Sequence, residues 1–183
     1  MRNLLPILLL LFTFGCSKEK DSEPLPVFRF KANGIQYDWS GKIRVDSING
    51  GKGAGIARYY YVSDPTTPAG YKIVSGDLRN NGANRLYIDI LRGADSLLPK
   101  KYFYRNQQRD GNLTELTIGT WAPNDAKGYI NGLSQDSVSV NITSIKNGMA
   151  AGTFYASLTQ VGPLTDMNIT DGQFENLPIV EVK

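Results

Sequence analysis

The fold is decided by residues 27–39, which read VFRFKANGIQYDW. Apolar and polar side chains alternate on both sides of Asn33-Gly34, which is the period-2 pattern of a half-buried β-strand. Asn-Gly between two such runs predicts a β-hairpin with a type I′ turn, because that turn needs a positive φ at both central residues. The domain therefore opens with a hairpin whose second strand ends at Trp39.

The same strand pattern returns along the rest of the chain. Apolar or alternating runs are bounded by Gly, Pro, Asn and Asp, and no stretch has an apolar period of 3.6 residues that is long enough for a helix of three turns. Gly172 inside the last run indicates a bulge or a tight bend. We predict an all-β, single-domain antiparallel β-sandwich or flattened barrel of roughly 9–11 strands. The predicted strands beyond the hairpin are residues 42–48, 55–63, 71–78, 85–92, 101–105, 113–121, 137–145, 151–160 and 167–174.

Upstream of the hairpin, the chain has the layout of a lipoprotein precursor. Arg2 precedes an apolar run over residues 4–14 that is too short for a membrane-spanning helix and contains Pro6, so it fits a signal segment. Gly15 stands directly before Cys16, the single cysteine of the chain, where such a signal places its lipid acceptor. The polar residues that follow predict a solvated tether. We predict a cleaved signal peptide at residues 1–15, a tether at residues 16–26 with a diacylglyceryl-type anchor (palmitate among its acyl chains) at Cys16, and a β-domain at residues 27–183.

Several motifs give the chain a resemblance to known lipoproteins. They are the Asn33-Gly34 hairpin ending at Trp39, the Gly152-Thr153-Phe154 strand and the NITDGQF segment at residues 168–174. Together with the leader, these motifs resemble small β-rich lipoproteins of Bacteroidetes, a family with no known activity to carry over. Residues 18–21, which read KEKD, match in part the surface-export signal of that family. The resemblance implies an outer-membrane protein that faces the cell surface.

Composition argues against several functional classes. The chain has 20 Lys and Arg against 17 Asp and Glu, so we expect no strong electrostatic attraction to nucleic acid. It has no histidine, which excludes a Ser-His-Asp or Cys-His mechanism, a histidine base and a typical zinc site. We therefore expect no enzyme activity, no cofactor and no metal.

Carboxylates leave two weaker alternatives open. Residues 166–172 place oxygen-bearing side chains at alternate positions, but Asp171 stands where a calcium-binding EF-hand loop needs glycine and Leu177 where it needs glutamate. Two carboxylates that meet across the fold would allow a glycan hydrolase. The candidates occur singly along the chain: Asp89, Asp110, Glu115, Asp125, Asp136, Asp166 and Asp171.

Aromatic side chains are the remaining indication of a binding site. Tyr and Trp rings present flat apolar faces that suit stacking on sugars and partner surfaces, although in sheets they also serve as cross-strand packing partners. In residues 102–104, which read YFY, strand alternation places Phe103 on the face opposite to its two neighbours. The predicted ligand-binding residues are Trp121, at a strand end, together with Trp39 and Tyr129.

These observations predict a non-catalytic, lipid-anchored β-domain. The membrane is the partner through the anchor at Cys16, and we expect the domain to bind a glycan or a surface protein and no nucleic acid. One alternative is a structural or assembly lipoprotein of a surface complex, and a more distant one is the carboxylate-dependent glycan hydrolase.

Overall fold

Every regular element that the structure describes is a β-strand. The structure is a computed structural model that describes residues 23–42, 52–61, 64–77, 85–91, 96–105, 108–109, 115–122, 127–130, 135–159 and 166–182. Within these ranges, it describes the backbone but not the side chains of residues 59–61, 64–69, 77, 91, 108–109, 115–122 and 127–130. No residue in these ranges is helical, which confirms the all-β prediction. The described part of the chain accordingly holds no helix with the length and apolar character to cross a membrane.

Twelve strands lie within the described ranges. In chain order they are β1 Val27–Ala32, β2 Ile35–Asp38, β3 Lys52–Tyr61, β4 Asp64–Asp77, β5 Arg85–Leu91, β6 Lys101–Arg105, β7 Gln108–Arg109, β8 Glu115–Ala122, β9 Lys127–Ile130, β10 Ser137–Lys146, β11 Met149–Leu158 and β12 Met167–Val182. Each predicted run corresponds to one of these strands, except for the run at residues 42–48. The sequence did not predict the short strands β7 and β9. The predicted strand at residues 42–48 lies outside the described residues apart from Lys42, which forms a bridge to Ala54.

The strands form one curled, open sheet, closer to half a barrel than to a sandwich. Its order is β7-β6-β10-β11-β12-β3-β4-β5-β8-β9, and the β1–β2 hairpin joins it where β1 pairs with β12. Residues 179–182 of β12 run parallel to residues 56–59 of β3. The other pairings between described strands are antiparallel, so the expected antiparallel architecture holds with this one exception.

Two bulges let the long strand β12 connect both halves of the sheet. Its register against β11 shifts beside Asp171 and again beside Asn176, and both residues have positive φ, 52° and 53°. The first bulge confirms the irregularity that Gly172 predicted. After the second bulge, β12 ends its pairing with β11 at Pro178 and pairs with β3. An extra residue in one strand bends that strand and increases its twist, which is how β12 changes neighbours.

A cluster of buried apolar side chains fills the inside of the curl. Strand β8 approaches β6 and β10, which are not its neighbours in the sheet order, so the two halves close over a common core. Both halves supply fully buried side chains. Strands β1, β6, β10 and β12 of one half contribute Phe28, Phe30, Tyr102, Ile142 and Phe174, and strands β3, β4 and β5 of the other half contribute Ile56, Ile73, Leu86, Ile88 and Ile90. Strand alternation explains this arrangement, because every second residue of each strand faces the core.

The opening hairpin has the predicted turn. Asn33 and Gly34 have φ values of 47° and 83°, and Phe30 pairs with Tyr37 across the two strands. A second Asn-Gly turn, at Asn147 and Gly148, joins β10 to β11. In both turns Asn and Gly occupy the left-handed region that a type I′ turn requires.

Candidate functional site

Strand alternation in β6 places every second side chain on the outer face of the sheet, which is the face opposite to the core. Tyr102 and Tyr104 of this strand are buried in the core, while Lys101, Phe103 and Arg105 are exposed on the opposite side. The prediction that Phe103 lies on the face opposite to its two tyrosine neighbours is confirmed.

Two aromatic rings on this outer face lie on either side of a serine. In the register of the sheet, Ser139 of β10 is the partner of both Phe103 of β6 and Tyr155 of β11. The two aromatic residues are 37% and 44% exposed, whereas Ser139 is 2% exposed between them. Their Cα atoms are two strand spacings apart, about 9.5 Å. Because a serine side chain is short, a gap remains between the two rings.

A row of polar side chains runs beside the aromatic row. Asn141 of β10 pairs with Lys101 on one side and with Thr153 on the other, and Thr153 pairs in turn with Gln173 of β12. Within the described residues, Asn141, Thr153 and Gln173 make no hydrogen bond with another side chain. Their amide and hydroxyl groups are therefore available to a ligand as donors and acceptors.

Members of both rows line a shallow depression of about 270 Å³, and Phe103 lies beside it on β6. We call it the outer groove; its lining residues are Lys101, Ser139, Asn141, Thr153, Phe154 and Tyr155. A flat ring beside amide and hydroxyl groups provides a stacking surface together with directed hydrogen bonds. Such a combination suits a flat, hydroxylated ligand with one apolar face.

Charges on the β1–β2 side of the outer face are neutralised by partners. Arg29 Nε lies 2.9 Å from Asp38 Oδ2, and Lys31 Nζ lies 2.8 Å from Asp171 Oδ2. Hydrogen bonds from Ser40, together with Arg29, lower the pKa of Asp38 to about 2. This side of the face is consequently close to neutral at pH 7.

A second depression, of about 190 Å³, lies where the chain enters β1. Its two charged side chains form an ion pair, with Lys42 Nζ 2.9 Å from Glu23 Oε2. Prolines make up much of the remaining lining, at positions 24, 26 and 178. Since its charges are paired and it has no exposed ring, this depression offers less to a ligand than the outer groove.

Trp39, one of the predicted ligand contacts, belongs to the core. It is 7% exposed. Its ring makes edge contacts with Phe30, at a centroid distance of 4.9 Å, and with Tyr37, at 5.5 Å. A buried ring has no face for a ligand, so the prediction for Trp39 is wrong. The alternative role of a cross-strand packing partner applies instead.

The side chains of the other three predicted site residues lie outside the described part of the chain. Trp121 pairs in register with Arg85 of β5 and Gly128 of β9, and Tyr129 pairs with Thr120 of β8, but their side chains lie outside the described residues. Cys16 also lies outside them. These three predictions stay predictions.

The candidate carboxylates whose side chains the structure describes have partners within the fold. Asp89 Oδ1 lies 3.3 Å from Lys72 Nζ, Asp136 Oδ1 accepts a hydrogen bond from the Thr159 amide at 2.7 Å, and Asp171 is paired with Lys31. Residues 166–172, which superficially match a calcium loop, form the start of β12 and its first bulge. In the described parts of the chain, no group of three or more Asp, Glu, Cys or His residues is placed to hold a metal ion.

Sequence reasoning missed most of the outer groove. Phe103 stood in a recognised aromatic triplet, but Asn141, Thr153 and Tyr155 gave no separate signal. Alternation in residues 151–158 places Tyr155 on the outer face, yet only the register between β6, β10 and β11 brings it beside Ser139 and across from Phe103. Comparison of the chain with family models, curated proteins and solved structures finds no match.

Proposed function

We propose that this chain is a non-catalytic lipoprotein, anchored at Cys16 in the outer membrane and facing the cell surface, whose β-domain binds glycans through the outer groove. The observation that carries the binding function is the row formed by Phe103, Ser139 and Tyr155 beside the polar row at Asn141. A sugar ring stacks on an aromatic face through its C–H groups and uses its hydroxyls for hydrogen bonds, so it can use both rows together.

Glycan binding is tested by a thermal-shift screen of the full chain, purified in a polyoxyethylene detergent, against neutral and acidic polysaccharides. A ligand at 100 times its dissociation constant adds about 2.7 kcal/mol to the free energy of unfolding. That stabilisation raises the melting temperature by several degrees in a domain of this size. The same incubations are expected to release no new reducing ends.

Variants locate the site within the fold. Tyr155→Ala and Phe103→Ala are each expected to weaken binding about tenfold, because an aromatic contact at the centre of a binding site contributes about 1–2 kcal/mol. Ile35→Ala removes another exposed apolar side chain, 62% exposed on β2, and is the matched control that leaves affinity unchanged. A shift that persists in both aromatic variants but disappears in Trp121→Ala would place the site on β8 and contradict the outer groove.

The anchor is tested separately by Cys16→Ala in the full chain expressed in a Gram-negative host. The variant is expected to fold and to leave the membrane fraction, since stable anchoring needs two or more acyl chains on the protein. Ser17→Ala is the control, and it stays with membranes after a carbonate wash. If Cys16→Ala still sediments with washed membranes, Cys16 is not the residue that anchors the protein.

A further inference from the structure

The exposed side of β6 carries two cations, one on each side of an aromatic ring. Lys101, Phe103 and Arg105 occupy alternate positions of the strand and are all exposed. Successive side chains on one face of a strand are about 7 Å apart, so the two charged residues flank the ring at similar distances. Lys101 also lines the outer groove.

Neither of these two cations forms an ion pair within the described residues. In contrast, Arg29 and Lys31 on the same face of the sheet are paired with Asp38 and Asp171. The strands that build the outer groove cannot supply partners, because β6, β10 and β11 read KYFYR, SVSVNITSIK and MAAGTFYASL and contain no Asp or Glu. Among the described residues, the groove therefore carries a local positive charge, on a chain whose overall charge is nearly balanced.

We infer that the ligand of the outer groove is an anionic glycan, whose carboxylate or sulfate groups are bound by Lys101 and Arg105 while a sugar ring stacks at Phe103 and Tyr155. This inference rests on the proposed function and specifies its ligand class. Arg offers a planar fork of donors that matches a carboxylate or a sulfate, and Lys offers a compact charge with three donors. The neutral amide and hydroxyl groups of Asn141 and Thr153 lie between β6 and the paired charges of β1, where they suit the uncharged hydroxyls of the same sugars.

The test uses two acidic polymers, each with a neutral counterpart. Polygalacturonate carries carboxylates that full methyl esterification neutralises, and dextran sulfate carries sulfates that dextran lacks. The full chain in detergent is expected to bind at least one acidic polymer about tenfold more tightly than its neutral counterpart. This preference should shrink between about 50 mM and about 300 mM salt, because exposed charges are screened. The acidic polymer that binds identifies the anionic group.

Charge-removing variants connect the preference to β6. Lys101→Gln and Arg105→Gln are each expected to lower the preference for the acidic polymer over its neutral counterpart about three- to tenfold, because each variant removes one of the charges that the acidic groups would contact. Lys146→Gln removes an exposed charge at the far end of β10 and is the matched control without effect. Loss of acidic binding in the control variant to the same extent would overturn the assignment to Lys101 and Arg105.

The preference for an anionic ligand can fail while glycan binding itself holds. Equal affinity for acidic and neutral forms, with both lost in Tyr155→Ala, overturns the anionic ligand and leaves glycan binding supported. No binding to either acidic polymer, with a neutral polysaccharide bound in the screen above, overturns it in the same way. Binding of a thymidine oligonucleotide as tight as that of the best acidic polymer overturns selectivity for a glycan, since the groove would then recognise any polyanion.

Discussion

At the scale of single residues, two glycines create the space for two phenyl rings in the core. In the sheet register, Phe174 of β12 is the partner of Gly152, and Phe154 of β11 is the partner of Gly172. A Cβ atom at Gly152 would meet the Asn141 carbonyl oxygen and lie 2.6 Å from Phe174 Cζ, and one at Gly172 would meet the Phe154 carbonyl oxygen and lie 2.8 Å from Phe154 Cδ2. Phe154 also stacks on Phe28 at a centroid distance of 5.0 Å, so these glycines support the aromatic part of the core.

We therefore expect Gly152→Ala and Gly172→Ala each to lower the free energy of unfolding by about 1–3 kcal/mol, the usual cost of overpacking a core. Urea unfolding followed by tryptophan fluorescence measures the change. Thr153→Ala, next to Gly152 on the exposed face, is the control and is expected to change stability by less than about 0.5 kcal/mol. Wild-type stability in both glycine variants would show that the rings do not need this space.

Asp38 gives the stability a specific dependence on pH. Its pKa is lowered to about 2 by Ser40 and Arg29, so the folded chain binds a proton at this carboxyl less readily than the unfolded chain does. The resulting stabilisation is present above the ordinary pKa of 3.8 and is lost as the pH falls towards about 2. Because the side chain is 44% exposed, solvent screening limits the contribution to about 0.5–1 kcal/mol.

We expect Asp38→Asn to be less stable than the wild type by this amount at pH 6, and we expect the difference to disappear as the pH falls from about 4 through about 2. Urea unfolding at a series of pH values measures the difference. Glu175→Gln changes another exposed carboxylate, on β12, and is the control for the general effect of acid. A deficit in Asp38→Asn that is the same at every pH would contradict the role of this carboxylate.

At the scale of elements, the two Asn-Gly hairpins differ in how they are attached to the rest of the sheet. The Asn33 side chain donates to the Asp166 carbonyl at 3.0 Å and accepts from the Asn168 amide at 2.7 Å. These bonds tie the first turn to the start of β12. The equivalent residue of the second turn, Asn147, makes no side-chain hydrogen bond within the described part of the chain.

This difference predicts opposite outcomes for one substitution made in both turns. Glycine keeps the positive φ that the turn needs, so Asn33→Gly loses only the two hydrogen bonds and should cost about 1–2 kcal/mol. Asn147→Gly should change stability by less than about 0.5 kcal/mol. Thermal and urea unfolding compare the two variants, and equal losses would contradict the attachment of the first turn to β12.

The elements were largely predictable from the sequence, whereas their register was not. Alternation and turn residues identified most strands because burial of one sheet face imposes a period of two residues. Counting back from the second turn places Tyr155 opposite Val140, an inward-facing residue. The actual partner is Ser139, because the register shifts between Ile142 and Ser144, where the Thr143 hydroxyl donates to the Ala151 carbonyl. One extra residue in β10 thus places Ser139 instead of Val140 beside Tyr155, and no local pattern marks that residue.

At the scale of the whole molecule, β12 determines the architecture. It pairs with β11 and β1 over its first part and with β3 over its last four residues, and so joins two groups of strands into one curled sheet. The sequence predicted a strand ending at residue 174. In the fold, Asn176 forms a bulge and Pro178 lies where β12 ends its pairing with β11, a position that needs no donor from proline. The parallel pairing with β3 is a long-range contact that no local pattern indicates.

The curl also gives the two faces of the sheet different side chains. The inside holds the aromatic and aliphatic core, and the outside of β6, β10 and β11 carries rings, amides and the cations Lys101 and Arg105, for which the described residues provide no ion-pair partner. Trp39 was predicted to bind ligand because its residue type is suitable, but a position in the chain does not reveal which face of a curled sheet becomes the core. The candidate site therefore depends on topology more than on any motif.

Glycan binding at the outer groove is tested most directly by an NMR titration of the isotope-labelled full chain in detergent with trigalacturonate and, in parallel, maltotriose. At least one of these sugars is expected to shift the amide resonances of residues 101–105, 137–143 and 151–157, with the largest changes around Ser139 and Tyr155. Resonances of β3, β4 and β5 should remain unchanged. Shifts confined to those three strands, or no shifts with either sugar, would contradict the proposal that the outer groove binds glycans.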